Sequence, residues 1–319
     1  MTRDGSWSAV WKESGSPHHE ALHNQAGALT EALQLYASLT VPNLFQDYPS
    51  PPGGSIRILD ACFGLGYNTW ATWKLLAESL DQNPEFISAP YLIQTLAYEQ
   101  FSEWAAFYPQ ILALESFSSL KPKIPPLEHN IYYQTLVSPL QIRFPIVTTS
   151  LQLDLYLKDL RNFVQDAHTS NLTFYRIFHD AFSPSVCPEL WSVELFEGYA
   201  RHLDPKFGLL ITYSTAAAVR GALQEAGFKM IRIPGVGQKK DATVAALSQQ
   251  ALERVLASTP GASPLTLEEE AYLNSKAGIP YRDPALRDSS ESVISRRQAE
   301  QAGSDRRSGK FFRGKTAQR

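Results

Sequence analysis

Three acids in this chain stand where they could do chemistry, and two glycines follow closely on the first. Asp60 closes an apolar run in Ile56–Thr69 (IRILDACFGLGYNT), four residues before Gly64. Gly64 and Gly66 let the backbone turn tightly and approach a ligand without side-chain obstruction. An acid beside such a turn can face a ligand's ammonium group. Glu99 ends a second apolar run, Pro90–Tyr98 (PYLIQTLAY), where a carboxylate can accept hydrogen bonds from ribose hydroxyls. Asp180 ends a third, Leu172–Phe178 (LTFYRIF) with His179. A carboxylate there could take the proton of an amine, or orient its lone pair, as the amine attacks an electrophilic carbon. His179 reads as a packed histidine rather than a base.

The spacing narrows the ligand. A dinucleotide site has G-x-G-x-x-G, whose third glycine permits close packing of helix on strand. Here Gly64, Gly66 and then Thr69 occupy the three places. A pyrophosphate is therefore disfavoured, and with it a nicotinamide oxidoreductase. S-adenosylmethionine, with an α-amino group and an α-carboxylate, fits an acid beside a two-glycine turn. Asn68 or Thr69 is expected to cap the helix that follows.

Strands and helices must hold these groups. The spacing predicts a helix over Ala21–Leu39, a break at Pro49–Gly54, a strand to Asp60 and a helix to about Leu80. Asp81–Ala89 reads as an insertion before the second strand. Residues 115–150 are the least regular, with five prolines from Pro122 to Pro145. Further on, Leu153–Val164 reads as a helix, Leu172–Phe178 as a strand and Glu189–Leu203 as a helix. Gly208–Tyr213 reads as a strand with Val219–Ala226 a helix behind it. Alternating strands and helices imply a parallel sheet covered on both faces, with ligands beyond the carboxyl ends of its strands. Asp60, Glu99, Asp180 and Ser214 all fall at such ends.

The bulk composition excludes some classes. The chain has 319 residues, 44% of them hydrophobic, and no run of about 18 apolar residues that would span a membrane. Its first residues lack the apolar centre of a signal peptide. Two cysteines, Cys62 and Cys187, make neither a disulfide framework nor a metal-ligand spacing. A cytoplasmic protein without a metal is the expectation. Net charge is −3, yet residues 296–319 carry eight basic residues against Glu300 and Asp305. That basic end is a candidate polyanion contact on an acidic body. Four segments follow: an N-terminal extension over 1–55, the catalytic domain over 56–250, a wrapping segment over 251–295, and a basic, disordered tail over 296–319.

The same residues carry a resemblance. The chain resembles the methyltransferase domain of the tRNA 5-methylaminomethyl-2-thiouridine biosynthesis enzyme, MnmC, in a form without the oxidase domain. The similarity rests on five ordered blocks. They are Asp4-Gly5-Ser6 with His18, His19 and Gly27-Ala28; Leu59–Asn68; Asp180–Trp191 (DAFSPSVCPELW); Thr212–Phe228; and Gly235–Lys240. The resemblance implies an α/β, Rossmann-like fold of the class I S-adenosylmethionine-dependent methyltransferases. It implies that Asp60, Phe63, Gly64, Gly66, Asn68 and Glu99 bind S-adenosylmethionine and that Asp180 is the catalytic acid residue. The implied substrate is tRNA, methylated on the aminomethyl group at C5 of the wobble uridine after upstream enzymes have installed it. Two features depart from the family. Cys62 stands where many methyltransferases have glycine. In Ile142–Leu157 the family's Gly-Asp-Ala segment, whose acid lies near the adenine, is replaced by Val147-Thr148-Thr149-Ser150, with Asp154 displaced. A methyltransferase for another amine, and a degenerate relative that only binds RNA or a partner, stay open beside the leading reading.

Overall fold

A computed structural model of the protein describes residues 2–8, 10–12, 19–21, 27–47, 54–82, 91–112, 114, 117, 140–146, 149–166, 171–237 and 241–309. The chain divides into two compact units. One comprises Met1–Leu160, Thr173–Asp180 and Gly235–Lys240. The other comprises Arg161–Leu172, Ala181–Pro234 and Asp241–Arg319.

The first unit opens with a short antiparallel pair, β1 (Val10–Lys12) and β2 (His19–Ala21). Helix α1 (Ala28–Glu31) runs on as a π-helical turn, Ala32–Ala37, and α2 spans Val41–Asp47. The single helix expected from Ala21 is thus corrected at its start, because Ala21 is the last residue of β2. The sheet of this unit contains β3 (Ser55–Asp60), β4 (Tyr91–Tyr98), β5 (Leu140–Ile146), β6 (Thr149–Tyr156) and β7 (Arg176–Phe178). β7, β3, β4 and β6 lie side by side and parallel, and β5 pairs antiparallel with β6. Ile56, Ile58 and Leu59 of β3 are almost wholly buried, on both faces of the strand, as a central parallel strand requires.

β6 overturns the helix expected over Leu153–Val164. Leu151, Leu153 and Leu155 alternate and are fully buried, which is a strand period. The intervening Gln152 and Asp154 are also buried, so the strand is covered on both faces. Asp154 is satisfied there by amides, accepting from Gln141 at 2.8 Å, from Gln152 at 2.9 Å and from Gln94 at 2.5 Å. Only a single helical turn follows, at Asn162–Gln165 in the other unit.

Helix α3 (Tyr67–Gln82) leaves the glycine turn and carries Trp70 and Trp73, both fully buried and edge-on to each other at 5.6 Å. Burying an indole of that size contributes roughly 4–6 kcal/mol of transfer free energy. These two side chains fix the helix beneath the turn. Helix α4 is Tyr108–Leu112. The expected insertion falls mostly outside the described residues, as do His18, Lys239 and Lys240.

The second unit departs from the all-parallel expectation. Its helices are α5 (Asn162–Gln165), α6 (Val193–His202), α7 (Ala217–Glu225), α8 (Gln249–Ser258), α9 (Leu267–Leu273) and α10 (Ser290–Gly303). Its strands β8 (Leu209–Thr212), β10 (Asp241–Ala246), β9 (Lys229–Pro234) and β11 (Ser263–Pro264) pair antiparallel in that order. Gly227, with φ +90°, makes the turn from α7 into β9, and β9 pairs antiparallel with β10.

A second correction concerns the C-terminal end. Arg296 and Arg297 are not in a disordered tail but on α10. Arg296 pairs with Asp288 at 2.6 Å; Arg297 donates to the carbonyls of Ile279 and Ala277 and lies 4.8 Å over the Tyr281 ring. Each guanidinium has structural acceptors that the sequence pattern does not disclose. The chain stays docked beyond the helix, since the Lys276 amide donates to Arg307 O at 2.9 Å.

Candidate active site

The three acids come together because their strands are neighbours. Asp60 is the last residue of β3, opposite Ala97 of β4 and Phe178 of β7. Glu99 lies two residues beyond Ala97, and Asp180 two beyond Phe178. Adjacent strands are about 4.8 Å apart, so all three carboxylates share one edge of the sheet. Ser214, the fourth polar residue expected at a strand end, belongs to the second unit. There its hydroxyl accepts from the Ala216 amide at the entry to α7, at 3.4 Å.

The turn itself is built from backbone bonds. Ala61 N–H donates to Phe178 O at 2.9 Å and Phe63 N–H to Tyr98 O at 3.0 Å, stitching the chain to both neighbouring strands as it leaves β3. Gly66 N–H then donates to Phe63 O at 2.7 Å. Gly66 has φ +80°, and a Cβ there would fall 2.4 Å from the Trp70 indole nitrogen and 2.6 Å from the Phe63 ring. Both the conformation and the space demand glycine. Cys62 has no positive φ, so the glycine it replaces is not needed for this path. Phe63 is buried, edge-on to Trp70 at 5.4 Å and to Tyr108 at 5.2 Å. It is a wall of the turn.

Glu99 braces the turn. One oxygen accepts from Gly64 N–H at 2.8 Å and the other from Phe101 N–H at 2.8 Å. Burial raises its pKa to about 7, although backbone N–H groups of Phe101, Gly64 and Gln100 pull the other way. Asp60 is fully buried. Burial, with the charges of Asp180 and Glu99, holds its pKa well above the ordinary carboxylate range against the hydrogen bonds from Thr69. Its Oδ2 accepts from the Thr69 hydroxyl at 2.6 Å. Among the described residues nothing donates to its Oδ1.

The expectation that Asn68 or Thr69 caps α3 is corrected. The helix begins at Tyr67, so both residues lie inside its first turn. They point at the acids instead: Asn68 Nδ2 donates to Asp180 Oδ2 at 3.0 Å, and Thr69 to Asp60. Thr69 fills the place of the missing third glycine and turns that place into a hydroxyl donor.

Other residues were not legible as parts of the site. Tyr108 donates to Gly64 O at 3.1 Å and is buried deeply enough to raise its hydroxyl well above the usual phenol range. No sequence signal marks it. Trp7 N–H donates to the Tyr67 hydroxyl at 2.7 Å, which ties the N-terminal segment to the first residue of α3. The loop that leaves Asp180 is pinned within the second unit: Tyr213 donates to Ala181 O at 2.9 Å, and Trp191 Nε1 to Phe182 O at 2.8 Å. That gives the tryptophan of the Asp180–Trp191 block a physical task. His179 is fully buried, as a packed histidine should be. Among the described residues, no cluster of His, Cys, Asp and Glu could hold a metal ion, and no helix is long and apolar enough to cross a membrane.

Residues 124–248 match a family model described as S-adenosyl-L-methionine-dependent methyltransferase. The chain is 26% identical over 302 residues to an uncharacterized protein of Methanocaldococcus jannaschii, covering 93% of this chain and 70% of that one. It is 29% identical over 213 residues to the tRNA 5-methylaminomethyl-2-thiouridine biosynthesis bifunctional protein MnmC of Hahella chejuensis, covering 66% of this chain and 31% of that one. It thus spans about a third of the bifunctional relative's length. The crystal structure of MNMC2 from Aquifex aeolicus superposes with a TM-score of 0.63 at 26% identity, covering 94% of this chain and 83% of that one. The fold is that of the class I, Rossmann-like methyltransferases, and the chain carries an MnmC-like methyltransferase domain that depends on S-adenosyl-L-methionine.

Proposed function

We propose that this protein methylates the aminomethyl group at C5 of the wobble uridine in tRNA. One observation carries the reading beyond the family: Asp180, at the tip of β7, is tied through Asn68 to the helix that leaves the glycine turn. An acid fixed to the methyl donor's own turn is placed to serve the acceptor.

The residues present fit S-adenosylmethionine. The buried Asp60 Oδ1 has no donor among the described residues, and a ligand ammonium is the kind of group that satisfies it. Glu99 keeps free lone pairs for ribose hydroxyls while its backbone partners fix its orientation. Gly64, Gly66 and Phe63 shape the turn on which the ligand rests. We assign the acid near the adenine to Asp159, beyond β6, rather than to Asp154, which is consumed by amides inside the sheet. When bound, this group supplies a methyl on a sulfonium sulfur that keeps the bonding pair as the methyl leaves. Asp180 then has one task. It accepts the proton that the amine must lose, directly or as the new N–C bond forms, and holds the nitrogen lone pair in line. Upstream wobble-uridine enzymes provide the primary amine, and the reaction belongs in the cytoplasm with its tRNA.

The test is nucleoside mass spectrometry of tRNA from a strain lacking this protein. The methylaminomethyl nucleoside should fall and its unmethylated aminomethyl precursor should accumulate. Restoring the wild-type chain should reverse this, and Asp180→Ala should not. Unchanged nucleosides would overturn the substrate. The purified protein, S-adenosylmethionine and a small primary amine would then test the second reading, an amine of another kind.

A further inference from the structure

Asn68 and Thr69 are consecutive, yet they address different acids. Both lie in the first turn of α3, whose backbone is fixed from below by Trp70 and Trp73. Their side chains are therefore held by the same rigid frame. Asn68 is 6% exposed and its Nδ2 donates to Asp180 Oδ2 at 3.0 Å. Thr69 is 1% exposed and its Oγ1 donates to Asp60 Oδ2 at 2.6 Å. In each case one carboxylate oxygen is engaged and the other is turned to a defined direction.

We propose that Asn68 and Thr69 are positioning residues with separate tasks: Thr69 aims the open oxygen of Asp60 at the cofactor's cation, and Asn68 aims the open oxygen of Asp180 at the acceptor amine. Asn68 is then not a cofactor ligand, although it sits in the cofactor turn's motif. The engaged oxygen decides this. A single donor to Oδ2 fixes the rotation of a carboxylate and leaves Oδ1 free, which suits a group that must receive a proton from a substrate. An unfixed Asp180 would spend most of its time in rotamers that miss the amine, and a small misplacement of a catalytic group costs large factors in rate. The inference rests on the methyltransferase reading above and predicts opposite phenotypes for neighbouring residues.

The test uses the full chain in five forms: wild type, Asn68→Ala, Thr69→Val, Asp180→Ala, and Asn68→Ala combined with Asp180→Ala. Calorimetry measures S-adenosylmethionine binding. Single-turnover assays measure methyl transfer to tRNA isolated from the deletion strain. Thr69→Val should weaken cofactor binding by about tenfold, the scale of a lost hydrogen bond to a charged group. Asn68→Ala should leave cofactor binding within about twofold and slow transfer by about tenfold or more. In the Asp180→Ala background, Asn68→Ala should change the rate no further, because it acts only through that acid. Retained cofactor binding in Asn68→Ala also shows that the variant is folded. The proposal fails if Asn68→Ala weakens cofactor binding tenfold, if Thr69→Val leaves that binding unchanged, or if the rate loss is the same in both backgrounds. If wild-type protein binds the cofactor but leaves that tRNA unmethylated, the substrate reading falls instead, and the two binding measurements still decide the roles of Asn68 and Thr69.

Discussion

Glu99 has a consequence that can be read in a pH titration. Its carboxyl is raised to about 7 by burial, so in the unliganded protein it is half protonated near neutrality. Ribose hydroxyls donate to the ionised form better than to the neutral one, so they favour deprotonation. S-adenosylmethionine should therefore bind more tightly as pH rises from about 6 to 8, by about tenfold at most for one group. Glu99→Gln should flatten that slope and weaken binding at pH 8. An unchanged slope in the variant would remove Glu99 from the cofactor site. The sign for stability is opposite. The folded state holds a proton that the unfolded chain releases at the ordinary glutamate value of 4.5. The unliganded fold thus loses stability as pH rises from about 4.5 to 7, and Asp60, shifted the same way, adds to the trend. The acids themselves were legible in the sequence, since a carboxylate after an apolar run is a local signal. Their donors were not. Thr69 read as a cap, and only the fold reveals that a helix begun at Tyr67 turns its hydroxyl onto Asp60.

Elements that announce themselves by period were read well, and those whose second face is polar were not. β3 and β4 are mostly apolar and bury Ile56, Ile58 and Leu59 in one and Ile93, Leu96 and Ala97 in the other, as central parallel strands do. β6 buries Gln152 and Asp154 among amides of β4 and β5, partners remote in sequence, so its polar positions mimicked the exposed face of a helix. The same limit applies to the N-terminal segment, whose attachment is a knot around Asp4. Asp4 accepts from the Thr2 and Ser6 hydroxyls, from the Thr30 hydroxyl and from the Ser6 and Thr30 amides, all between 2.6 and 3.0 Å. Burial pushes its pKa up, but these donors outweigh burial and hold it well below the usual carboxylate range. The knot closes on Gly27, where a Cβ would sit about 2 Å from the Asp4 carboxyl. It also anchors Ser6 beside Trp7, which bonds the Tyr67 hydroxyl at the head of α3. Asp4→Asn should therefore destabilise the fold by about 1–3 kcal/mol at pH 7. Because the folded pKa is depressed, this contribution is fully present above the unfolded value and is lost progressively as pH falls from there through the folded one. Denaturant unfolding at pH 7 and pH 3 checks this: the gap between variant and wild type should shrink at pH 3. An equal gap at both would mean that the knot's worth is steric and not ionic.

At the scale of the whole molecule, charge separates what holds the fold from what is left to meet a polyanion. Residues 296–319 carry a net +6 against a total of −3 for the chain. Arg296 and Arg297 are spent on Asp288, on carbonyls and on Tyr281. The chain is still seated at Gly309, where a Cβ would press on Ala277 at 2.9 Å and Tyr272 at 3.2 Å. Lys310, Arg313, Lys315 and Arg319 follow without an intervening acid. A truncation that tests RNA contact must therefore begin at Lys310 and not at Arg296, which would strip structural bonds from α10. Each phosphate neutralised contributes about 0.9 to the slope of log affinity against log salt on a duplex, and about 0.7 on a single strand. If these four cations each meet a phosphate, deleting residues 310–319 should lower the slope for tRNA by about 3 and weaken binding most at low salt. Thermal stability and S-adenosylmethionine affinity should stay as in the wild type. An unchanged salt slope would exclude them from RNA binding and move the search for the tRNA surface to residues 1–309, whose net charge is −7. On so acidic a body, a tRNA would then need a local cluster of cations close to the carboxyl edge of the sheet.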